Sequence, residues 1–591
     1  MRRNTSLKKD KYVRGIDGLR ALAILMVLTY HLRLPFARGG LSGVTIFFVL
    51  SGFLITRNIL AQLDEKGRVE LKAFWKKRIL RLYPVMIAMI VALVIVSALT
   101  NRILFTKACQ DIPSALLGYN NWWQIFNNVS YFNRSGIASP LMHFWSLAIE
   151  LQFYILYPLL ILGLSKLTKN KKLFAGVTLI LGVISAGLMW ALFDPTKDPS
   201  RIYYGTDTRM FALLFGALPA FAEAELRKKG SPKVKSIISL ALLAVLMWAM
   251  FSLDGYSRGG QILVTVLAVL LVVFFLDRRN MVGNILSTAP FQWLSHRSYG
   301  IYIWHFPIIL LMSGGKRTGA VMVLFEILVI FIVSELSYHW IEVPIREGVI
   351  GKTMRKIKKR PQSDKERRFQ MRLKQRVKRL SICGGILLGI TILLMAFVPK
   401  KSAMVEQHKV ATKKEQEKQK KPKKEDIMAN LDILLVGDSI AADAANSFNT
   451  IFPDSICDTK IGRNAYEAPE IIKNYKKEYS WDGDAVILSL AINGPLNNSL
   501  KEVREVIGKE KPLFIVTGKA PYEMYEGPNN KQIHKFVKED KNAYVIDWYQ
   551  YSKDHPEYFD QDETHLLPKG GEAYTDCIKQ AVLKVFEKNG E

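Results

Sequence analysis

Cysteine is scarce in this chain, with 4 among 591 residues. The spacing of metal-binding cysteine motifs is absent, and no motif typical of a catalytic thiol surrounds any of the four. We therefore expect no metal centre. Cys457 and Cys577 are predicted to be two separate buried thiols, and a disulfide between them is the alternative if their domain lies outside the cell.

Acidic residues are also in the minority, with 52 Asp and Glu against 82 Lys and Arg, which leaves a formal charge of +30. This charge could indicate nucleic-acid binding, but the cations lie mainly between apolar segments and in two runs rather than on one folded module. With 49% apolar residues, the chain is too apolar for an ordinary soluble enzyme and too charged to be membrane spans alone. We expect a lipid bilayer, not nucleic acid, as its partner.

About eleven apolar stretches approach the length that a bilayer requires. Basic loops precede the third, fifth and seventh stretches, and the amino-terminal residues are also basic, so these regions are predicted to be cytoplasmic. An odd number of crossings then makes the carboxyl-terminal domain of this multi-pass cell-membrane protein extracellular. No small-residue cleavage site follows the first stretch, which favours a retained signal-anchor. The stretches begin near Ala21, Gly43, Pro84, His143, Phe174, Met210, Ile237, Ile262, Tyr299, Val321 and Ile382.

Changes in composition predict the domain boundaries. The basic segment before the last stretch is interpreted as a topology determinant or as a segment held at anionic lipid head groups. The segment after it is rich in Lys, Glu and Gln and has no aromatic residue, so it cannot bury a core. The predicted parts are a membrane domain at 11–345, a basic cytoplasmic segment at 346–380, a last transmembrane helix at 381–398, a charged extracellular linker at 399–428 and an extracellular domain at 429–591.

The last of these domains begins with a short apolar strand at 431–436 that leads into Gly437-Asp438-Ser439 and then into a helical pattern. Ser439 therefore lies at a strand-to-helix junction, where the amides of the helix start can stabilise developing negative charge. Further strands are predicted at 484–490, 512–516 and 543–547, with helical patterns between them. This alternation predicts an α/β/α domain with a parallel sheet covered on both faces.

A serine needs a base to become a good nucleophile. Only His408, His534, His555 and His565 follow the last apolar stretch. His565 is the best candidate, because Asp562 precedes it by three residues and can hold the ring nitrogen that faces away from the serine. Two candidates for oxyanion stabilisation lie in loops between predicted strands, Gly462 and Asn493.

At these residues the domain resembles the serine esterase and acetyltransferase superfamily named for its Ser, Gly, Asn and His blocks. The resemblance implies an SGNH-hydrolase-like fold. It implies that Ser439 is the nucleophile, His565 the base and Asp562 its orienting acid. It further implies that the Ser439 amide, Gly462 and Asn493 form the oxyanion hole. Ala491 departs from the pattern, since the family usually has glycine two residues before the asparagine.

The membrane half resembles the multispan acyltransferase-three family across roughly 11–345, at 14–20, 30–31, 47–53, 78–84, 143–150 and 298–305. The resemblance implies that His31 is catalytic. Ionisable residues within spans are costly and usually line a pathway, although a structural pair such as Arg20 with Glu150 is an equal alternative. The candidates for a pathway or for acetyl-CoA binding are Arg14, Asp17, Arg20, Arg78, Arg81, His143, Glu150, Arg209 and His305.

Together the two halves resemble the bacterial peptidoglycan O-acetyltransferases of Gram-positive envelopes. This resemblance implies that acetyl passes from cytoplasmic acetyl-CoA, a donor rather than a permanently bound cofactor, to peptidoglycan glycan strands. The acceptor would typically be the C6 hydroxyl of N-acetylmuramic acid, reached through an acetyl-Ser439 intermediate. The alternatives left open are another envelope glycan as acceptor, a glycan acetyl esterase, and a transporter or scaffold that only binds glycan.

Overall fold

The computed structural model describes most of the chain at the level of individual residues. The described residues are 13, 15–34, 37, 39–127, 129–132, 138–194, 199–228, 230–252, 259–314, 318–348, 353, 364–396, 427–460, 462–478, 480–521, 525–560 and 562–587.

The chain divides into two compact units. The first contains 1–128, 139–195 and 199–398, and the second contains 129–138, 196–198 and 399–591. Most of the predicted linker at 399–428 and much of the predicted basic segment at 346–380 lie outside the described residues. The predicted domain boundaries therefore stay predictions.

The described residues of the first unit form helices and no strands. The first nine are α1 (Ile16–His31), α2 (Ser42–Lys66), α3 (Leu71–Thr100), α4 (Arg102–Leu117), α5 (Asn120–Phe126), α6 (Phe144–Leu167), α7 (Lys171–Leu192), α8 (Ser200–Tyr204) and α9 (Thr206–Arg209). The others are α10 (Phe211–Phe221), α11 (Glu223–Lys228), α12 (Pro232–Ser252), α13 (Gly260–Phe275), α14 (Met281–Ile285), α15 (Ala289–Ser313), α16 (Ala320–Ser337), a π-helical turn (Tyr338–Glu342), α17 (Val343–Arg346) and α18 (Asp364–Ala396).

Several helices of this unit are suited to a bilayer. Among the described residues, six are long and apolar enough to cross one: Ser42–Lys66, Leu71–Thr100, Phe144–Leu167, Lys171–Leu192, Pro232–Ala249 and Ala320–Arg346. Each of the eleven predicted stretches begins on a helix or directly before one, but the count of eleven is not confirmed. One reason is length: at about 1.5 Å per residue, the 11 residues of α10 span roughly half of a hydrocarbon core. The chain is a multi-span membrane protein.

Helices α2 and α10 pack with their backbones unusually close together. A Cβ atom at Gly52 would lie 1.9 Å from the carbonyl oxygen of Leu213, and one at Gly216 would lie 2.3 Å from the carbonyl oxygen of Val49. Such small residues allow helices in a membrane to approach each other, where van der Waals packing replaces the hydrophobic effect as a driving force.

The second unit contains an α/β domain with a five-stranded parallel sheet in the order β2-β1-β3-β4-β5. Its strands are β1 (Ile433–Gly437), β2 (Ile456–Thr459), β3 (Ala485–Ser489), β4 (Leu513–Val516) and β5 (Ala543–Ile546). Its helices are α19 (Ser439–Ile451), α20 (Ala468–Glu478), α21 (Ser499–Ile507), α22 (Glu526–Glu539), α23 (Trp548–Ser552) and α24 (Pro568–Phe586), with 3₁₀ turns at Ile427–Asn430, Ala465–Glu467 and Pro556–Tyr558.

Alternate residues of each central strand face opposite sides of this sheet. On one side Ile433 and Leu435 pack with residues of α19 and α24, and on the other Leu434 and Val436 pack with residues of α20, α21 and α22. The sheet is thus covered on both faces, as predicted. Strand β2 is not among the predicted strands, because this edge strand is only half-buried and lacks a continuous apolar run.

Ile487 provides a test of this core. It is fully buried in β3 and is paired with Leu435 and Phe514. Ile487→Ala should destabilise the α/β domain by about 2–5 kcal/mol, whereas Ile487→Val should cost only about 1 kcal/mol. Hydrogen exchange of β3 amides in the detergent-solubilised full chain measures the difference. Equal protection of β3 in the two variants would contradict this packing.

Candidate active site

Ser439 is the first residue of α19 and is separated from the end of β1 by Asp438 alone. The turn is held by Asp438, whose amide donates to the Ser489 carbonyl at 3.0 Å and whose carboxylate accepts from the Ile440 amide at 3.0 Å. Ser439 is 2% exposed, and its Oγ makes no hydrogen bond within the described part of the chain. The structure thus places a buried hydroxyl at the start of a helix.

His565 and Asp562 lie in direct contact. Asp562 Oδ2 accepts from His565 Nδ1 at 2.5 Å, and Asp562 Oδ1 accepts from the amides of Thr564 and His565 at 3.0 and 2.9 Å. Because Nδ1 carries the proton in this bond, the lone pair of neutral His565 is on Nε2. This is the tautomer that a general base requires.

Burial, hydrogen bonds and neighbouring charges shift the pKa values of both residues. Burial lowers the pKa of His565, but the hydrogen bond and the negative charge of Asp562 outweigh it, so the pKa is raised above its ordinary value. Burial conversely raises the pKa of Asp562, but the hydrogen bond and the charge of His565, together with the amides of His565 and Thr564, lower it below its ordinary value. Burial also raises the pKa of Asp438 to about 7, against the lowering effects of the Ile440 amide and of His565.

The loop that carries His565 is attached to the helix that carries Ser439. The amide of Leu566 donates to Asp443 Oδ2 at 3.0 Å, and Asp443 is four residues after Ser439 on α19. Phe559 and Leu566, on either side of the Asp562–His565 segment, form an antiparallel β-bridge. Sequence reasoning missed Asp443, although its position one helical turn after the serine places it on the same face of the helix.

Gly462 and Asn493 lie beyond the carboxyl ends of β2 and β3, which flank β1. Gly462 has a φ of +74°, a conformation that favours glycine. Its neighbour Arg463 is buried and donates to the carbonyl oxygens of Asp458 and Gly437 at 2.5 and 3.2 Å. The Gly462 loop is therefore tied to the strand that presents Ser439.

The loop of Asn493 is held by a side chain that sequence reasoning also missed. Asn529 Nδ2 donates to the carbonyl oxygens of Ala491 and Gly494 at 2.8 and 2.7 Å, and Asn529 is 2% exposed. Ala491, the departure from the superfamily pattern, is accommodated by Gly518, where an added Cβ would lie 3.2 Å from the Ala491 Cβ. The structure thus brings Ser439, Gly462 and Asn493 to one edge of the sheet, and their roles stay predictions.

The other candidate residues of this domain lie elsewhere. His534 is 3.7 Å from Asp547, and His555 stacks on Tyr558, while His408 lies outside the described residues. Cys457 and Cys577 are free thiols, and burial raises the pKa of each to about 12. Among the described residues, no group of His, Cys, Asp and Glu is arranged to hold a metal ion.

In the membrane unit, a cavity of about 120 Å³ contains several predicted residues. Its wall includes Arg20, Arg78, Arg81 and Glu150. Glu150 accepts hydrogen bonds from Ser51 Oγ and Tyr154 Oη, both at 2.7 Å, and its carboxylate forms no ion pair with Arg20 within the described residues. The charges of Arg20 and Glu150 nevertheless interact, so the structural pair stays an alternative, and three arginines against one carboxylate leave the cavity cationic.

A larger cavity of about 1110 Å³ adjoins the first and shares Leu54, Arg78 and Arg81 with it. Its wall adds both cations and carboxylates: Arg57, Lys66, Lys77, Lys171, Arg227 and Arg278 with Asp64, Glu65, Glu70 and Glu223. These basic side chains include members of the loops that the sequence predicts to be cytoplasmic.

Three predicted histidines cluster at the end of α1. His31 Nδ1 lies 3.2 Å from His305 Nε2, and the ring centroids of His143 and His305 are 5.5 Å apart. The remaining predicted residues are not in this cluster or in the cavity wall. Asp17 accepts from Ser295 Oγ, Arg209 donates to Thr45 Oγ1, and Arg14 lies outside the described residues.

This chain is similar to known proteins over almost its whole length. The family model of the acyltransferase domain matches residues 13–336. The O-acetyltransferase OatA of Staphylococcus aureus is 32% identical over 98% of this chain and 97% of its own, and the peptidoglycan O-acetyltransferase OatA of Listeria monocytogenes is 32% identical over 99% and 100%. The solved C-terminal catalytic domain of OatA from Streptococcus pneumoniae is 22% identical with a TM-score of 0.25, covering 27% of this chain and 94% of that one.

Asp562→Asn should shift the pH dependence of ester cleavage by the full chain. With neutral His565 as the predicted base, the rate should fall as pH drops through a midpoint above 6.5, the ordinary pKa of histidine. Without the Asp562 charge the midpoint should move to lower pH, and the maximal rate should fall by roughly 10²–10⁴. Hydrolysis of a chromogenic acetyl ester measures both. Asp554→Asn, at an exposed carboxylate, is the control, and an unchanged midpoint in Asp562→Asn would disprove the pairing.

Proposed function

Because this chain belongs to the acyltransferase-domain family and is an O-acetyltransferase, we propose that it transfers acetyl groups from cytoplasmic acetyl-CoA to peptidoglycan. Relatives with peptidoglycan O-acetyltransferase activity in their names match almost the whole chain, which supports peptidoglycan as the acceptor. The proposed acceptor group is the C6 hydroxyl of N-acetylmuramic acid in the glycan strands.

The proposed topology has eleven crossings and an extracellular α/β domain. The basic residues around the larger cavity support a cytoplasmic position for that end of the membrane unit. Acetyl-CoA is made in the cytoplasm and the polymerised wall is outside. A membrane unit with a cavity open to cytoplasmic acetyl-CoA, joined to an extracellular domain on one chain, is therefore suited to a relay.

The cationic cavity supports the proposal that the membrane unit, the donor half of the chain, binds acetyl-CoA. Acetyl-CoA carries several phosphate charges, and Arg78 and Arg81 contribute to the walls of both cavities. Guanidinium groups bind phosphate oxygens through charge-assisted, often bidentate hydrogen bonds. We place the phosphates in the larger cavity and the thioester end towards Arg20 and Glu150. His31 is the proposed base of this half.

For the acceptor half, the Asp562–His565 contact carries the proposal, because it prepares Nε2 of His565 to accept a proton. As His565 removes the Ser439 proton, Oγ attacks the acetyl carbonyl, and the oxyanion receives hydrogen bonds from the Ser439 amide, Gly462 and Asn493. The donor group leaves with that proton. His565 then deprotonates the sugar hydroxyl, whose oxygen forms the new ester bond as the bond between the acetyl carbon and Ser439 Oγ breaks, and His565 returns the proton to Oγ.

Ser439→Ala should abolish base-labile acetate on muramic acid in cells that lack the native gene and carry this chain. The variant removes the only atom that can form the acetyl-serine ester, so residual acetate should be at least about 100-fold lower. Purified muropeptides are analysed by mass spectrometry before and after mild base. Thr450→Ala, at an exposed position of the same helix, is the matched control.

The same measurement separates the alternatives. Equal acetate in the Ser439→Ala and unmodified strains would disprove the acetyl-serine mechanism, and a rise in the variant would identify the domain as an esterase. Acetate that appears on another envelope glycan would identify a different acceptor.

Arg78→Gln combined with Arg81→Gln should raise the KM for acetyl-CoA. Each lost hydrogen bond to a charged group is worth about 1.5–3 kcal/mol, so the expected increase is at least tenfold. Thiol release from acetyl-CoA by the detergent-solubilised chain gives KM, with Arg102→Gln on the exposed start of α4 as the control. An unchanged KM would place the donor elsewhere.

A further inference from the structure

The contact between His31 and His305 joins the last residue of α1 to the middle of α15. Their facing nitrogens, His31 Nδ1 and His305 Nε2, are 3.2 Å apart, and their ring centroids are 4.9 Å apart with the planes tilted by 56°. This is the geometry of a hydrogen bond between two imidazoles, in which one nitrogen must donate and the other must accept.

The contacts of His305 Nδ1 show which of the two rings donates in this hydrogen bond. His305 Nδ1 lies 2.7 Å from the carbonyl oxygen of Tyr302 and 3.1 Å from that of Ile301. A carbonyl oxygen only accepts, so Nδ1 carries the proton. In a neutral His305 the lone pair is then on Nε2, the atom that faces His31.

His31 is constrained in the same way. Its Nδ1 lies 3.0 Å from the Val27 carbonyl oxygen, in addition to the contact with His305 Nε2. Both neighbours are acceptors, so Nδ1 of His31 carries the proton and shares it between them. The lone pair of neutral His31 is therefore on Nε2.

The surroundings favour two neutral rings over two charged ones. His305 is fully buried, and the rings of Phe306 and Tyr30 pack against His31 with centroid distances of 4.9 and 5.3 Å. Ionisable groups inside a membrane protein are costly when charged. One added proton on the pair can nevertheless be stabilised, because His305 Nε2 accepts from the donor on His31.

The pair lies beside the cationic cavity. Tyr302, whose carbonyl orients His305, is one helical turn earlier on α15, and its side chain is part of the cavity wall. Tyr302 Oη is 2.6 Å from Ser146 Oγ, another residue of that wall.

We propose that His305 is a positioning residue that holds His31 in the tautomer with Nε2 as the general base of the membrane unit. The inference rests on the proposed function of that unit, with acetyl-CoA as donor and His31 as base, and it takes the group that first accepts the acetyl to be a hydroxyl, which attacks the thioester. In this step the hydroxyl proton moves to His31 Nε2, the new C–O bond forms and the C–S bond breaks. The thiolate of CoA then takes the proton from His31. His305 Nε2 accepts from the Nδ1–H of the transient imidazolium, as a carboxylate does in a catalytic triad.

A direct test reads the tautomers in the full chain reconstituted in lipid vesicles and labelled with ¹⁵N-histidine. Nitrogen chemical shifts in solid-state NMR distinguish Nδ1–H from Nε2–H rings, and spectra of His31→Gln and His305→Gln assign the two signals among the nine histidines. Both residues should show the Nδ1–H form. An Nε2–H form for His31 would overturn the inference, whether or not the chain turns over acetyl-CoA.

A matched pair of variants tests the role. His305→Gln keeps an acceptor that can reach His31, whereas His305→Met has a similar volume and no strong acceptor. In both variants the KM for acetyl-CoA should stay within about twofold of its value in the unmodified chain. The rate of thiol release should be at least about tenfold lower for His305→Met than for His305→Gln. This difference is smaller than the loss of rate expected when a general base itself is removed. Thermal unfolding of both variants verifies that they fold.

The outcomes separate this inference from the proposed function. Equal rates in the Gln and Met variants would overturn the positioning role of His305. If the unmodified chain releases no thiol from acetyl-CoA, the proposed donor is wrong, and the tautomers measured by NMR still decide the pairing.

Discussion

The parallel pairing of β1 with β2 on one side and β3 on the other is the constraint on which the candidate site of the α/β domain depends. In this register Gly437, the last residue of β1, is paired with both Thr459 and Ser489. Three chain segments therefore leave the sheet at one edge, and they carry Ser439, Gly462 and Asn493. Residues that are far apart in sequence become neighbours because parallel strands end together.

Two kinds of contact then attach the remaining parts to this edge. Buried Arg463, in the Gly462 loop, donates to carbonyl oxygens of the strands β1 and β2, and buried Asn529 donates to carbonyl oxygens of the Asn493 loop. These bonds stand in for the regular backbone pairing that loops lack. Asp443 attaches the His565 loop to α19 through a backbone amide. Each of these side chains satisfies buried backbone groups, which would otherwise destabilise the fold, and at the same time restricts where the candidate site residues lie.

The two units place their histidines in different electrostatic surroundings. In the α/β domain, a carboxylate accepts from Nδ1 of His565, and nearby carboxylates raise the pKa of the ring. In the membrane unit, Nδ1 of His31 faces a backbone carbonyl and a second imidazole, both without formal charge. At a partly exposed edge, the free-energy cost of desolvating a carboxylate next to an imidazole is small enough to be tolerated. Within a membrane unit that cost is larger, and neutral partners avoid it.

Sequence by itself determined the local features: the apolar stretches, the alternation of strands and helices, the strand-to-helix junction at Ser439 and the short Asp562-x-x-His565 spacing. Each depends on periodicity or on residues within one turn of each other, so the order of residues is sufficient to predict it. Only the tertiary structure decided the edge strand β2, the contacts of Arg463, Asn529 and Asp443, the hydrogen bond of Glu150 with Ser51, and the contact between His31 and His305. These contacts join residues on separate elements, and the distances between them depend on packing, which no local pattern records.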